Sequence, residues 1–342
     1  MTTDPSLRHL LSLRDLDAAD FDALLRDAEV LAGPRGRQPL LAGRRLGMLF
    51  FQPSLRTRLA FEIACFDLGA HAVHLQVGKG LWRLEHRDHV VMDGDAAEHV
   101  REGVGVLGRM LDGFGVRSFA GLVDAAEDAR DVVLAAIVRA STVPVLSLES
   151  AMGHPHQGLA DALTVRRRYP GQRVKVVLTW TPHVKPLPLA VPHTALLAFA
   201  REGHEVVLAR PEGFDLDEGV VADACRLAVD AGGSITVTAD RDAALEGAKV
   251  VYAKSWGSRG FYGDEAAGCE AIRFHRDWIV DRGTLEATDA AVLLHCLPVR
   301  RGLVVADEVL DGEASVVLDQ AAARLDVQKA TLCRAFGVEI PS

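Results

Sequence analysis

Phe50-Phe51-Gln52-Pro53-Ser54-Leu55-Arg56-Thr57-Arg58 is the stretch that decides how this 342-residue chain is read. Gly47–Phe51 is apolar and of strand length, Pro53 ends the run, and Ser54 stands where the N-cap of a following helix, Leu55–Leu68, belongs. The first turn of such a helix carries unpaired backbone N–H groups and about half a positive charge, so it accepts an anion without further equipment. Ser54 and Thr57 add hydroxyl donors, and Arg56 adds a planar fork that matches phosphate oxygens. Taken alone, S-x-R-T-R is equally a capped helix with two solvated arginines. Its place after a buried strand favours phosphate, because open α/β sheets bind ligands beyond the carboxyl ends of their strands.

The same alternation extends outward. His71–Gln76, Val174–Trp180, Glu205–Ala209, Ser234–Thr238, Lys249–Ala253 and Ala291–His295 read as strands, and Val191–Glu202, Asp217–Ala231 and Ala321–Phe336 as helices. Strands alternating with helices imply an α/β fold, here two doubly wound parallel-sheet domains joined by helices. The series starts afresh after Pro170-Gly171, so domains are expected over residues 1–150 and 151–319. A helix near Ser150–Thr164 would join them, and the terminal helix within 320–342 would return to the first.

Composition narrows the function classes. The chain is 49% hydrophobic and 25% charged, ordinary values for a length that can bury two cores. A formal charge of -9 argues against a nucleic-acid partner, while a local basic pocket can still hold a small anion. No run approaches the ~18 apolar residues of a spanning helix, and no apolar h-region opens the chain. Five cysteines, none in a C-x-x-C pair, suggest reduced thiols. The expected location is the cytoplasm, with no membrane partner.

Two later strings follow the phosphate turn in order. His154-Pro155-His156-Gln157 and His295-Cys296-Leu297-Pro298 resemble the H-P-x-Q and H-C-L-P elements of the aspartate and ornithine transcarbamylase family, and the resemblance runs from about Gly43 to Ala335. It implies attack by a neutral amine on the carbonyl of carbamoyl phosphate, with phosphate leaving. Such an enzyme must hold a doubly charged phosphate, polarise the carbonyl oxygen and aim the amine. The leaving phosphate can itself take a proton and the substrate is already activated, so no cofactor is expected. By the resemblance, Ser54, the Leu55 N–H, Arg56, Thr57 and Arg324 hold the phosphate. Arg117 and His154, helped by Thr57, polarise the carbamoyl oxygen. Gln157 and the Leu297 carbonyl hold the carbamoyl NH₂, and Cys296 lies beside the attacking amine. Trp82 falls in a loop that some members insert into the neighbouring subunit's site, which implies a homotrimer.

The amine is read from Tyr252-Ala253-Lys254-Ser255-Trp256-Gly257. Members that use free ornithine have an acidic residue here, facing the α-ammonium; Lys254 would repel that group and attract a carboxylate. The stretch resembles the subgroup that carbamoylates N-acetyl- or N-succinylornithine in an alternative arginine pathway. Residues 92–95 and 179–188 resemble it too. Glu149, His183, Lys185, Lys254, Cys296, Leu297 and Arg300 are the residues expected around the amino acid. Acetyl-specific members carry glutamate at the position of Ala97, and succinyl-specific members proline. Ala97 matches neither, Lys185 could pair with a succinyl carboxylate, and succinyl is the favoured expectation. Free ornithine or another small amine is the alternative.

Other classes fit less well. Gly103-Val104-Gly105-Val106-Leu107-Gly108 spells a dinucleotide fingerprint, but the preceding residues read as polar helix and no strand is expected to feed it. Glu85, His86 and His89 lack zinc-site spacing, and His154 and His156 diverge on their turn, so no metal is expected. A non-catalytic, phosphate-binding regulator would be signalled by loss of Arg56, Arg117 or His154; all three are present.

Overall fold

A computed structural model describes residues 8–33 and 37–341. The chain divides into two compact units. The first comprises the described residues up to Ala120, then Ala126–His156, and those from Arg324 onward; the second comprises Gly121–Ala125 and Gln157–Ala323.

In the first unit, β1 (Arg45–Phe50), β2 (His71–Gln76), β5 (Gly113–Arg117) and β6 (Val145–Glu149) form a parallel sheet in the order β2-β1-β5-β6. Two short strands, β3 (Arg83–Glu85) and β4 (Ala96–His99), pair as a separate parallel ribbon. Five of the six residues of β1 are buried. Each large apolar side chain so buried contributes about 1.5–3 kcal/mol. Leu49, Phe114, Val116, Ile137 and Val145 belong to one continuous core. Gly115 is required there, because a Cβ on it would lie 2.9 Å from the Leu148 side chain.

The second unit carries β7 (Lys175–Trp180), β8 (Glu205–Ala209), β9 (Ser234–Thr238), β10 (Val250–Lys254) and β11 (Val292–Leu294), all parallel, in the order β11-β10-β7-β8-β9. The helix Ala190–Arg201 that follows β7 is buried over nearly its whole length. Its apolar sequence is what a helix packed on several sides requires.

Each sheet has one place where the chain reverses its direction of travel. It lies between β1 and β5 in the first unit, and between β7 and β10 in the second. Such switch points leave a crevice beyond the strand ends, because the two connections depart to opposite sides.

Two local expectations need correction. The helix after β1 begins at Arg56, with Leu55 in the cap position and no side-chain cap there. The Ser54 hydroxyl still accepts the Thr57 N–H at 3.3 Å. A strand, β4, does feed the G-x-G-x-x-G segment, and its polar residues hid it because it pairs only in the small ribbon. Gly103 and Gly105 nonetheless lie inside the helix Val100–Leu107, away from the strand-to-helix turn that a dinucleotide site needs.

Candidate active site

In the first unit the switch point collects the residues of the turn after β1. β1 delivers Ser54, Leu55, Arg56 and Thr57 at the start of the helix Arg56–Asp67, and β5 ends on Arg117. The Gln52 side chain accepts the Phe119 N–H at 2.8 Å, tying the turn after β1 to the turn after β5. Glu149 ends β6. Asp131 then shapes the next turn, its carboxylate accepting from the Ser150 hydroxyl and the Ala151 N–H, both at 2.7 Å. That turn leads to His154.

Four elements remote in sequence converge here. Arg324, on the helix Val317–Ala335, donates to the Thr57 hydroxyl at 2.5 Å and lies 3.4 Å from His154 Nε2. Arg117 donates to Glu149 at 2.5 Å and its guanidinium stacks 4.4 Å from the Phe119 ring centre. The Arg117 Nε is buried without a hydrogen-bond partner among the described residues. Glu149 lies 3.8 Å from His154. Arg58 is different: it is exposed and paired with Glu62 on its own helix. Trp82 is 55% exposed and donates to Glu98, apart from all of these.

Burial holds the His154 imidazole well below its ordinary pKa, and Arg324, Arg117, His156 and Arg56 push the same way. It is therefore neutral at pH 7 and can donate one ring N–H without itself being an acid. Burial, with Arg324, also pushes His156 down to about 3, and burial pushes His204 to about 4. The unfolded chain takes up these protons first as pH falls. Their contribution to stability is therefore complete above about pH 6.5 and is lost toward pH 3–4. The urea midpoint should fall steadily between pH 7 and 5, and less steeply in His156→Gln. An equal slope in the variant would remove His156 from the cause.

In the second unit the switch point collects a second group of polar residues. Lys254 ends β10, and its backbone carbonyl accepts the Thr181 N–H at 3.0 Å just beyond β7. The Thr181 and Ser255 hydroxyls meet at 3.0 Å. The Trp180 ring N–H donates to the Trp256 carbonyl at 2.9 Å, fixing both strand ends. Lys254 is buried, and among the described residues its ammonium donates only to the Ser255 carbonyl, at 2.8 Å. Arg300 donates to His183 Nε2 at 3.0 Å, and the other ring nitrogen of His183 meets the Lys185 carbonyl at 2.9 Å. Burial and the charges of Arg300, Lys254 and Lys185 lower the His183 pKa. Lys254, Lys185 and Arg300 thus gather cations in this unit, a set suited to carboxylates. Leu297 has a left-handed backbone (φ 50°), rare for a branched residue and characteristic of functional loops.

Reading the sequence did not find Gln52, Asp131, Asp161 or Gln320. Gln52 stands in the turn after β1, but its partner Phe119 is 67 residues away, and Asp161 is joined to Gln320 across 159 residues. Among the described residues, no three His, Cys, Asp or Glu side chains gather to hold a metal ion, and no helix is long and apolar enough to cross a membrane.

Comparison with known proteins agrees with this geometry. Residues 8–167 match the aspartate/ornithine carbamoyltransferase carbamoyl-P binding domain, and residues 190–335 match the Asp/Orn binding domain of the same family. The chain is 40% identical to the N-acetylornithine carbamoyltransferase of Xanthomonas campestris pv. campestris, over 98% of this chain and 100% of that one. It is 37% identical to the N-succinylornithine carbamoyltransferase of Bacteroides fragilis, over 82% of this chain and 84% of that one. It also matches a crystal structure of an N-acetyl-L-ornithine transcarbamylase glutamate-to-alanine variant complexed with carbamyl phosphate and N-succinyl-L-norvaline. That match has a TM-score of 0.93 at 41% identity and covers 95% of this chain and 99% of that one. Two matched family domains that span most of the chain, with full-length identity of 40%, lead to one conclusion: the chain belongs to the aspartate/ornithine carbamoyltransferase family.

Proposed function

We propose that this protein transfers the carbamoyl group of carbamoyl phosphate to the side-chain amine of an Nα-acylated ornithine, giving the acylated citrulline and phosphate in arginine biosynthesis. The observation that carries the proposal is the convergence of Thr57, Arg117, His154 and Arg324 from four separate elements. The domain over residues 1–150, with the terminal helix, binds carbamoyl phosphate, and residues 151–319 bind the amino acid. Ser54, the Leu55 N–H, Arg56, Thr57 and Arg324 hold the phosphate. Arg117 and neutral His154 donate to the carbamoyl oxygen, where negative charge develops as the amine attacks. Gln157 and the Leu297 carbonyl accept from the carbamoyl NH₂. No residue is needed as a dedicated base, because the departing phosphate takes the amine proton.

Lys254 selects the amine. A buried ammonium without a carboxylate partner among the described residues repels a free α-ammonium and attracts a carboxylate. Lys254→Asp should raise KM for the acylated amine at least about a hundredfold, a charge reversal costing a few kcal/mol, with KM for carbamoyl phosphate little changed. An unaltered KM for the amine would remove Lys254 from the substrate. Between acyl groups we infer succinyl. Ala97 is exposed and carries no charge to oppose a second carboxylate, and the related variant complexed with N-succinyl-L-norvaline has alanine in place of a glutamate.

The working unit we propose is a homotrimer with shared sites. Leu55, Leu59, Ile63 and Phe66 form an exposed apolar stripe along the helix beside the phosphate turn. Phe66→Glu should shift the sedimenting species toward the monomer; an unchanged species would exclude this face.

The deciding assay offers ornithine, N-acetylornithine and N-succinylornithine in parallel with carbamoyl phosphate and measures ureido product. Product from N-succinylornithine above the others is expected. Product from free ornithine alone would overturn the account of Lys254, and no product from any of them would overturn carbamoyl transfer.

A further inference from the structure

The polar interior of the second unit contains a carboxylate that no step above uses. Asp161 is fully buried on the helix Pro155–Arg168, one turn after Gln157. Its Oδ1 accepts the Gln157 Nε2–H at 2.7 Å and the Gln320 Nε2–H at 2.6 Å. Gln157 and Gln320 are themselves almost wholly buried. Burying a carboxylate is costly unless it is well hydrogen-bonded, so a position like this one is held by what it organises.

A carboxylate oxygen only accepts, so each glutamine must turn its NH₂ toward Asp161 and its carbonyl oxygen away. For Gln320 the consequence is visible: its Oε1 accepts the His295 backbone N–H at 2.8 Å. His295 Nδ1 then accepts the Leu297 N–H at 3.0 Å, which fixes the peptide leading to the Leu297 carbonyl. For Gln157 the consequence is a carbonyl oxygen presented as an acceptor. The opposite amide orientation would present NH₂ groups, which cannot accept from another NH₂.

We propose that Asp161 is a positioning residue that sets the polarity of the carbamoyl-amide pocket. Through Gln157 directly, and through Gln320 and His295 indirectly, one carboxylate holds both acceptors, Gln157 Oε1 and the Leu297 carbonyl, toward an NH₂ donor. The enzyme thereby distinguishes a carbamoyl group from an acetyl group of nearly the same shape. A methyl in place of NH₂ leaves two buried acceptors unpaired, and sites built to pair a polar group reject analogues lacking it. Asn at position 161 is isosteric but can donate as well as accept, so it releases Gln157 to flip.

This inference rests on the carbamoyltransferase reading, and the test separates the two. For the wild type and Asp161→Asn, three constants are measured: KM for carbamoyl phosphate, and inhibition constants for acetyl phosphate and inorganic phosphate. The variant is expected to raise KM for carbamoyl phosphate about tenfold, one hydrogen bond's worth. Both inhibition constants should stay within about twofold. Gln320→Met, which cuts only the branch to His295, should raise the same KM by a smaller factor, again without moving the inhibitors. A parallel rise in all three constants would mean that Asp161 is merely structural and would overturn the proposal. So would an unchanged ratio of KM to the acetyl phosphate constant in both variants. Failure of the wild type to make any ureido product would instead overturn carbamoyl transfer.

Discussion

Arg117→Ala and His154→Ala are each expected to lower kcat by about a hundred- to a thousandfold, with far-UV circular dichroism unchanged. Carbamoyl transfer needs donors aimed at the oxygen that gains charge, and these two side chains are the best placed to be them. Arg117 is preorganised: Glu149 holds one terminal nitrogen, Phe119 supports its plane, and its buried Nε has no acceptor among the described residues. His154 is buried among arginines that keep it neutral, so it donates without adding a fourth positive charge to a crowded site. Because its titration is displaced well below the ordinary imidazole range, kcat should show no loss near pH 6.5 traceable to it. If single-turnover measurements gave near-normal rates in both alanine variants, the catalytic assignment would be wrong. A fall confined to KM would make them binding groups only.

The second large effect concerns stability. The Lys329 ammonium is buried on the helix Val317–Ala335 and pairs at 2.7 Å with Asp67, whose side chain is 8% exposed, at the end of the helix Arg56–Asp67. Arg37 approaches the same carboxylate only at 3.9 Å and from solvent. Lys329→Met should therefore destabilise by about 3–5 kcal/mol, because it leaves the Asp67 charge uncompensated. The double variant Lys329→Met with Asp67→Leu should recover most of that loss, since no charge is then left in the interior. Urea unfolding of the four proteins in this cycle measures it. A single-variant loss below about 1 kcal/mol would place the pair among the inconsequential ones. The pair also bears on function, because one of its two helices opens on Thr57 and the other carries Arg324.

Much of this protein is legible in its sequence. Strands β1, β2, β7, β8, β9, β10 and β11 are short apolar or β-branched runs whose period and punctuation identify them. Strand β5 escaped notice because three of the five residues in Gly113-Phe114-Gly115-Val116-Arg117 are glycine or arginine, which weaken a strand signal. It forms because glycine lets Leu148 and Phe336 approach the backbone closely, a packing reason that is invisible in one dimension.

The sequence by itself determined the α/β class, the strand-turn-helix around Ser54 and the family. Each of these depends on residues close together in the chain, where local sterics, capping and charge act. Only the tertiary structure decided which side chains work together. Arg324 reaches Thr57 across 267 residues, and Gln320 reaches Asp161 across 159. Glu149 lies against Arg117, 32 residues away, and against His154. Contacts between distant residues depend on how sheets and helices stack, and stacking is set by the whole core, so no short stretch of the chain encodes them.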